Sequence, residues 1–191
     1  MKKIIYVFAI SALTMVFTSC GKKTETDSKE MAEDQNEKKF DDADAQKDTD
    51  FAVVAADAGM LEVQLGQLAV ANGSSAEIKQ FGQSMIDDHT KAGDELKALA
   101  QQKNISLPAA LSDESQKHYE DLAKKTGLDF DKDYADLMVK DHKKVVDEFK
   151  KEADKGNDAE IKSWAAGKVS TLEHHLMMAE NVQKTVKEAK K

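Results

Sequence analysis

One cysteine, one proline and one tryptophan stand among 191 residues, and arginine is missing altogether. With Cys20 alone there is no intrachain disulfide and no paired-cysteine zinc or redox motif, so the fold must hold by packing. With Pro108 the only proline, and no window of sustained two-residue alternation, long helices go unbroken and no sheet is expected. All 28 basic residues are lysine, which removes the planar, bidentate phosphate clamp of arginine. The formal charge of −8 opposes the counterion release that drives binding to nucleic acid, so nucleic acid is excluded as a partner. No serine elbow, glycine-rich phosphate loop or second cysteine is present, and an enzymatic role is the least supported reading.

What is present begins with an export signal. Lys2 and Lys3 precede an apolar run from Ile4 to Phe17, shorter than the about 20 residues a membrane-spanning helix needs. Val16-Phe17-Thr18-Ser19-Cys20 resembles a bacterial lipobox of the looser type, with Phe17 where leucine is commonest. Residues 1–19 are therefore expected to be removed and Cys20 to carry lipid, anchoring the protein to a membrane of the bacterial cell envelope. Ordinary secretion with a free thiol is the alternative. Residues 20–48 are rich in Lys, Glu, Asp, Thr and Gln, with Phe40 the only aromatic, and read as a disordered tether. A domain over residues 49–186 follows, then a frayed basic tail over 187–191.

The domain reads as all-α. Phe51, Val54, Ala58, Leu61, Leu65 and Leu68 set a helical stripe up to Ala71, where Asn72-Gly73 stops it and Ser74 or Ser75 caps the next helix. Ile78, Phe81, Met85, Ala92, Leu96 and Leu99 carry that second helix to about Lys103. A long connection holds a short helix from Ser112 to Leu122, which Gly127 is expected to terminate. A third helix runs from about Asp129 to Lys155 and, after Gly156-Asn157-Asp158, a fourth runs to Val186. Two helical hairpins joined by a long crossover is the connectivity of a ferritin-like four-helix bundle.

Each long helix places one metal-ligand-type side chain inside its apolar stripe: Glu62, His89, His142 and His175. Burying such groups is costly unless they are paired or bind metal. Glu62 lies 11 residues before Gly73 and His89 lies 16 after it; His142 lies 14 before Gly156 and His175 lies 19 after it. Each hairpin thus carries the same axial mismatch, about 7.5 Å at 1.5 Å per residue. Residues 81–100 and 134–153 also align without gaps, with eight identities, repeating Met-x-x-Asp-His at Met85–His89 and Met138–His142.

The chain resembles the bacterial ferritin-like family called domain of unknown function 4142. The matching residues are Gly59-Met60-Leu61-Glu62-Val63, Met85-Ile86-Asp87-Asp88-His89, Ile105-Ser106-Leu107-Pro108, Phe130-Asp131-Lys132-Asp133-Tyr134, Met138-Val139-Lys140-Asp141-His142 and His175-Leu176. The resemblance implies a ferritin-like helical bundle, usually on exported or membrane-anchored proteins, and no particular activity.

Met85 and Leu172 stand where a di-iron site would need further carboxylates, so one Glu and three His are too few oxygens to bridge two irons. A single zinc, copper or iron ion suits the set Glu62, His89, His142 and His175, with Asp88 and Asp141 as acceptors for the free ring nitrogens. A thioether version would bind copper through Met85, Met138 and Met178. A hydrogen-bonded polar layer that fixes bundle register without metal is the structural alternative. No protein partner can be named.

Overall fold

Short polar turns fold the chain into two long helical hairpins in the computed structural model, which describes residues 27–189. The signal segment and the acylation of Cys20 fall outside the described residues. The described residues form six helices and no strand: α1 (Ser28–Glu37), α2 (Ala43–Asn72), α3 (Ala76–Lys103), α4 (Asp113–Ala123), α5 (Gly127–Lys155) and α6 (Ala159–Ala189). The all-α class follows from the sequence as expected.

The caps explain where the helices begin and end. Ser75 accepts a hydrogen bond from the Ile78 amide to start α3, and Asn104 ends it in the left-handed conformation at φ 58°. Asp158 accepts from the amides of Glu160 and Ile161 to start α6. Gly127, at φ 62°, opens α5 rather than closing α4, which stops at Ala123. Its positive φ lets the chain leave the loop and enter the helix within one residue.

Hydrogen bonds at the turns fix the directions of the helices. Asp131, fully buried near the start of α5, accepts from the Ser74 amide at 2.9 Å and from the Ser74 hydroxyl. Asp48, buried near the start of α2, accepts from the Asn157 amide at 3.1 Å and from the Asp158 amide. The first helix of each hairpin therefore grips the turn of the other, which sets α2 antiparallel to α5. Residues 104–126 must then run the length of the bundle. The buried Asp57 carboxylate pins this crossover to α2, accepting from the Ser112 amide at 2.7 Å and from the hydroxyls of Ser112 and Ser115 at 2.8 and 2.7 Å. An acid at four-residue spacing from buried Ala52, Leu61 or Ala135 is the signal for Asp48, Asp57 and Asp131, which sequence reading passed over.

α2 packs against α1, α3, α4 and α5, which is why it is apolar around much of its circumference. Its length and hydropathy would suffice to cross a membrane, but it carries the buried Asp57 and Glu62 and serves here as a core helix.

The expected tether over 20–48 is corrected by the structure from Ser28 onward. α1 is a helix capped by Asp27, and α2 already begins at Ala43. Of the apolar side chains of α1 only Ala32 is buried. Instead Asn36, 1% exposed, donates to the Ser106 carbonyl at 2.9 Å and accepts from the Ser106 amide at 2.7 Å. The Ser28 hydroxyl accepts from the amides of Ala109 and Ala110. Order held by backbone groups of a distant loop leaves no mark on local composition. At the other end, α6 continues through the expected frayed residues to Ala189.

Candidate metal centre

Glu62 on α2, His89 on α3, His142 on α5 and His175 on α6 meet in the middle of the bundle, with exposures of 3%, 7%, 0% and 1%. The ring centroids of the three histidines lie 5.2, 5.6 and 5.9 Å apart. One ring nitrogen from each falls within 4.8 Å of the others, close enough to share one ion.

The axial mismatch counted along the sequence is absorbed by side-chain direction. Side chains lean toward the N-terminus of their own helix. In each hairpin this carries the residue before the turn, Glu62 or His142, away from the turn, and the residue after it, His89 or His175, toward it. The two leans act in opposite directions and close the gap.

Glu62 bridges two of the histidines. Its Oε2 is 2.9 Å from His89 Nε2 and its Oε1 is 3.3 Å from His142 Nδ1, although it lies outside the group of three that share ligand spacing. Both approaches are ion-pair close, the Glu62–His89 contact at hydrogen-bond distance and the Glu62–His142 contact longer.

Two histidines have their tautomers set from outside the site. His142 Nδ1 donates to the Met138 carbonyl at 3.0 Å, leaving a lone pair on Nε2, which is buried without a partner. His175 Nε2 donates to Asp88 Oδ2 at 2.8 Å, leaving a lone pair on Nδ1, which is likewise unpartnered. A ring held on one side by a carboxylate or carbonyl while the other nitrogen points inward is the arrangement of metal-binding histidines. Asp88 thus reaches from α3 to the histidine of α6 rather than to its neighbour His89. Asp141, its counterpart in the repeat, makes no hydrogen bond to a site histidine among the described residues; burial and the Glu62 charge push its carboxyl up.

The electrostatics follow from the same contacts. Burial alone would raise the Glu62 carboxyl, but the His89 and His142 imidazoles outweigh it and hold it at about 2. Burial works against a charge on His89, while the Glu62 carboxylate more than restores it and leaves that imidazole raised. His175 is pulled down to about 4 by burial, against the pull of Asp88, and is neutral at pH 7.

Met85 and Met138 are fully buried in the apolar core with Phe81, Phe130 and Tyr134. Met178 packs partly buried against the same core, and His174, four residues before it, is exposed. Sequence reading treated Tyr134 as core alone, yet its buried hydroxyl has no partner, and burial together with the Glu62 charge pushes it up. The repeat held the signal, because Tyr134 aligns with Phe81 and the hydroxyl is the difference.

Glu62, His89 and His175 also form part of the lining of a cleft of about 780 Å³ between α2, α3, α5 and α6, in which His142 has no part.

A family described as "Domain of unknown function (DUF4142)" matches residues 30–182. No curated protein and no solved structure matches the chain.

Proposed function

Because the chain belongs to the DUF4142 family, whose description names no activity, we propose its function from the site itself: it binds one transition-metal ion, zinc, copper or iron, through His89, His142 and His175, with Glu62 as the fourth group. The observation that carries this reading is a pair of buried ring nitrogens without partners, His142 Nε2 and His175 Nδ1, beside the paired Glu62 and His89. Three imidazole nitrogens and one carboxylate oxygen are a donor set for a borderline divalent ion. When bound, such an ion supplies a Lewis-acidic positive charge at the side of the cleft. The ferritin-like character of the bundle belongs to the same reading, with one metal where di-iron members hold two.

A second reading keeps the four residues as a metal-free polar layer that fixes the register of the helices, and the Glu62–His89 and Glu62–His142 approaches favour it. Against it stands the cost of the unpartnered atoms, about 1–3 kcal/mol for each buried polar group left without a hydrogen bond. A partly satisfied network is the least stable of the arrangements such residues can adopt, and an ion completes it.

Elemental analysis of untagged protein separates the two. One metal per chain is expected in the parent protein and almost none in His89→Ala or His142→Ala. Absence of metal in the parent under zinc, copper and iron loading, with both variants merely less stable, would leave the polar layer as the function of these residues.

The reading extends to location. The Lys2-Lys3 start, the Ile4–Phe17 run and the Val16–Cys20 segment support a lipid on Cys20 and a place on a membrane of the cell envelope. Cys20→Ser is expected to move the protein from the membrane to the soluble fraction; continued sedimentation with membranes would contradict the anchor.

A further inference from the structure

Two buried carboxyl groups face one another where the turn between α5 and α6 meets α2. Asp48 of α2 is 2% exposed and Glu152, in the last turn of α5, is 8% exposed, and their side chains are in contact. Neither has an ion pair with a lysine among the described residues. Lys103 of α3, at the same turn, is bound to Asp158 and Glu160, both at 2.6 Å. Two like charges in contact and out of water are costly, so one member of such a pair keeps its proton.

The hydrogen bonds decide which member that is. Asp48 accepts from the Asn157 amide with both oxygens, at 3.1 Å each, and from the Asp158 amide. Amide donors favour the ionised form of the carboxyl they bond. Glu152 Oε1 is buried and has no donor. It lies against Gly156, where an added Cβ would be 2.4 Å from Oε1 and 2.7 Å from the Glu152 carbonyl oxygen. The φ of −58° at Gly156 is open to any residue, so what the glycine supplies is room for Glu152.

The surrounding charges act in the same direction. Burial raises the Glu152 carboxyl most, Asp48 and Asp158 raise it further, and Lys151 on its own helix pulls the other way, leaving it at about 7. Asp44 of α2 gives its carboxylate to Lys47 and its backbone carbonyl to the Asn157 side chain. Glu160 of α6 is engaged by Lys103 and Gln102.

We propose that Asp48 and Glu152 share one proton, and that this proton latches the turn between α5 and α6 to α2, closed while it is held and loosened when it leaves to water. Asp48 and Asp131 are the two grips that set one hairpin against the other. Asp131 takes its bonds from the Ser74 amide and hydroxyl, which carry no charge to lose. Only one of the two grips therefore titrates, and rising pH loosens the bundle from the Asp48 end. The folded Glu152 carboxyl is raised from 4.5 to about 7, so the stability it contributes is full below the lower value and is lost as the pH rises through the upper one.

Amide hydrogen exchange of the full chain tests the latch. Exchange of the Asn157 and Asp158 amides relative to the Ser74 amide of the same molecule is expected to rise at least about tenfold from about pH 5 to about pH 8. The comparison within one molecule removes the intrinsic pH dependence of exchange and needs no variant. In Glu152→Gln, whose amide is uncharged and donates to Asp48 at every pH, the ratio is expected to stay level and the urea midpoint to exceed that of the parent in alkali only. A ratio that stays level in the parent, or that rises equally in Glu152→Gln, overturns the proposal. So does stabilisation of the parent by calcium at about pH 8 that Glu152→Gln lacks, because the pair would then hold a cation in place of the proton.

Discussion

Zinc in about hundredfold excess over its dissociation constant is expected to raise the melting temperature of the protein by about 5–10 °C, and His142→Ala is expected to abolish the rise. A ligand that binds the folded chain alone adds about 2.7 kcal/mol of stability at that excess. In a domain of this size each kcal/mol moves the midpoint by about 2–4 °C. The ion would also give partners to ring nitrogens that are buried without any, so the gain comes from completing a network the fold has already assembled. His142 is the informative position because it is fully buried and has no part in the lining of the cleft; its removal also opens a cavity, so the rise is measured against the midpoint of the metal-free variant itself. The rise should also depend on pH. The His89 imidazole is raised by the Glu62 carboxylate and must lose its proton before its nitrogen can bind metal. The shift is therefore expected to be full in mildly alkaline solution and to fade as the pH falls through the titration of His89. Scanning calorimetry with and without zinc at several pH values provides the check; midpoints that zinc, copper and iron all leave unmoved would refute the site.

Gly82→Val is expected to destabilise the protein by about 3 kcal/mol or more, whereas Gly93→Ala on the same helix should be neutral or stabilising by about 0.5–1 kcal/mol. A Cβ on Gly82 would lie 2.7 Å from the Ala69 Cβ and 2.8 Å from the Gly66 carbonyl oxygen, and the opposing backbone cannot yield without moving α2. At Gly93 a Cβ meets open space. Pushing α2 from α3 also separates Glu62 from His89, now 2.9 Å apart, so the damage to packing should reach the site as weaker metal retention. Urea denaturation midpoints of the two variants, with their metal contents, measure both effects. Equal stability of Gly82→Val and the parent would mean that the close approach of the two helices is not what holds the hairpin.

The two predictions draw on different levels of information. Glu62, His89, His142 and His175 were legible in the sequence because an ionisable side chain on an apolar helical stripe is conspicuous, and because one such residue falls in each of four periodic segments. Asp88 was legible as a partner but not its target, since residues adjacent on a helix point about 100° apart and only the neighbouring helix decides which ring is within reach. The ordered segment before Thr49 was not legible. α1 is held by the Asn36 and Ser28 side chains on the backbone of the crossover, and composition is blind to a hydrogen bond spanning 70 residues.

By itself the sequence determined the helical class, the two hairpins and their turns, and which four side chains must be dealt with in the interior, because periodicity, capping residues and apolar stripes are local properties of the chain. The tertiary structure alone decided that the opposed leans of antiparallel side chains bring those four together, that Asp88 and the Met138 carbonyl turn two imidazole lone pairs inward, and that α2 and α3 touch at Gly66 and Gly82 while a cleft remains beside Gly59 and Gly93. Those are relations between helices, fixed by where the crossover and the gripping aspartates place one hairpin against the other.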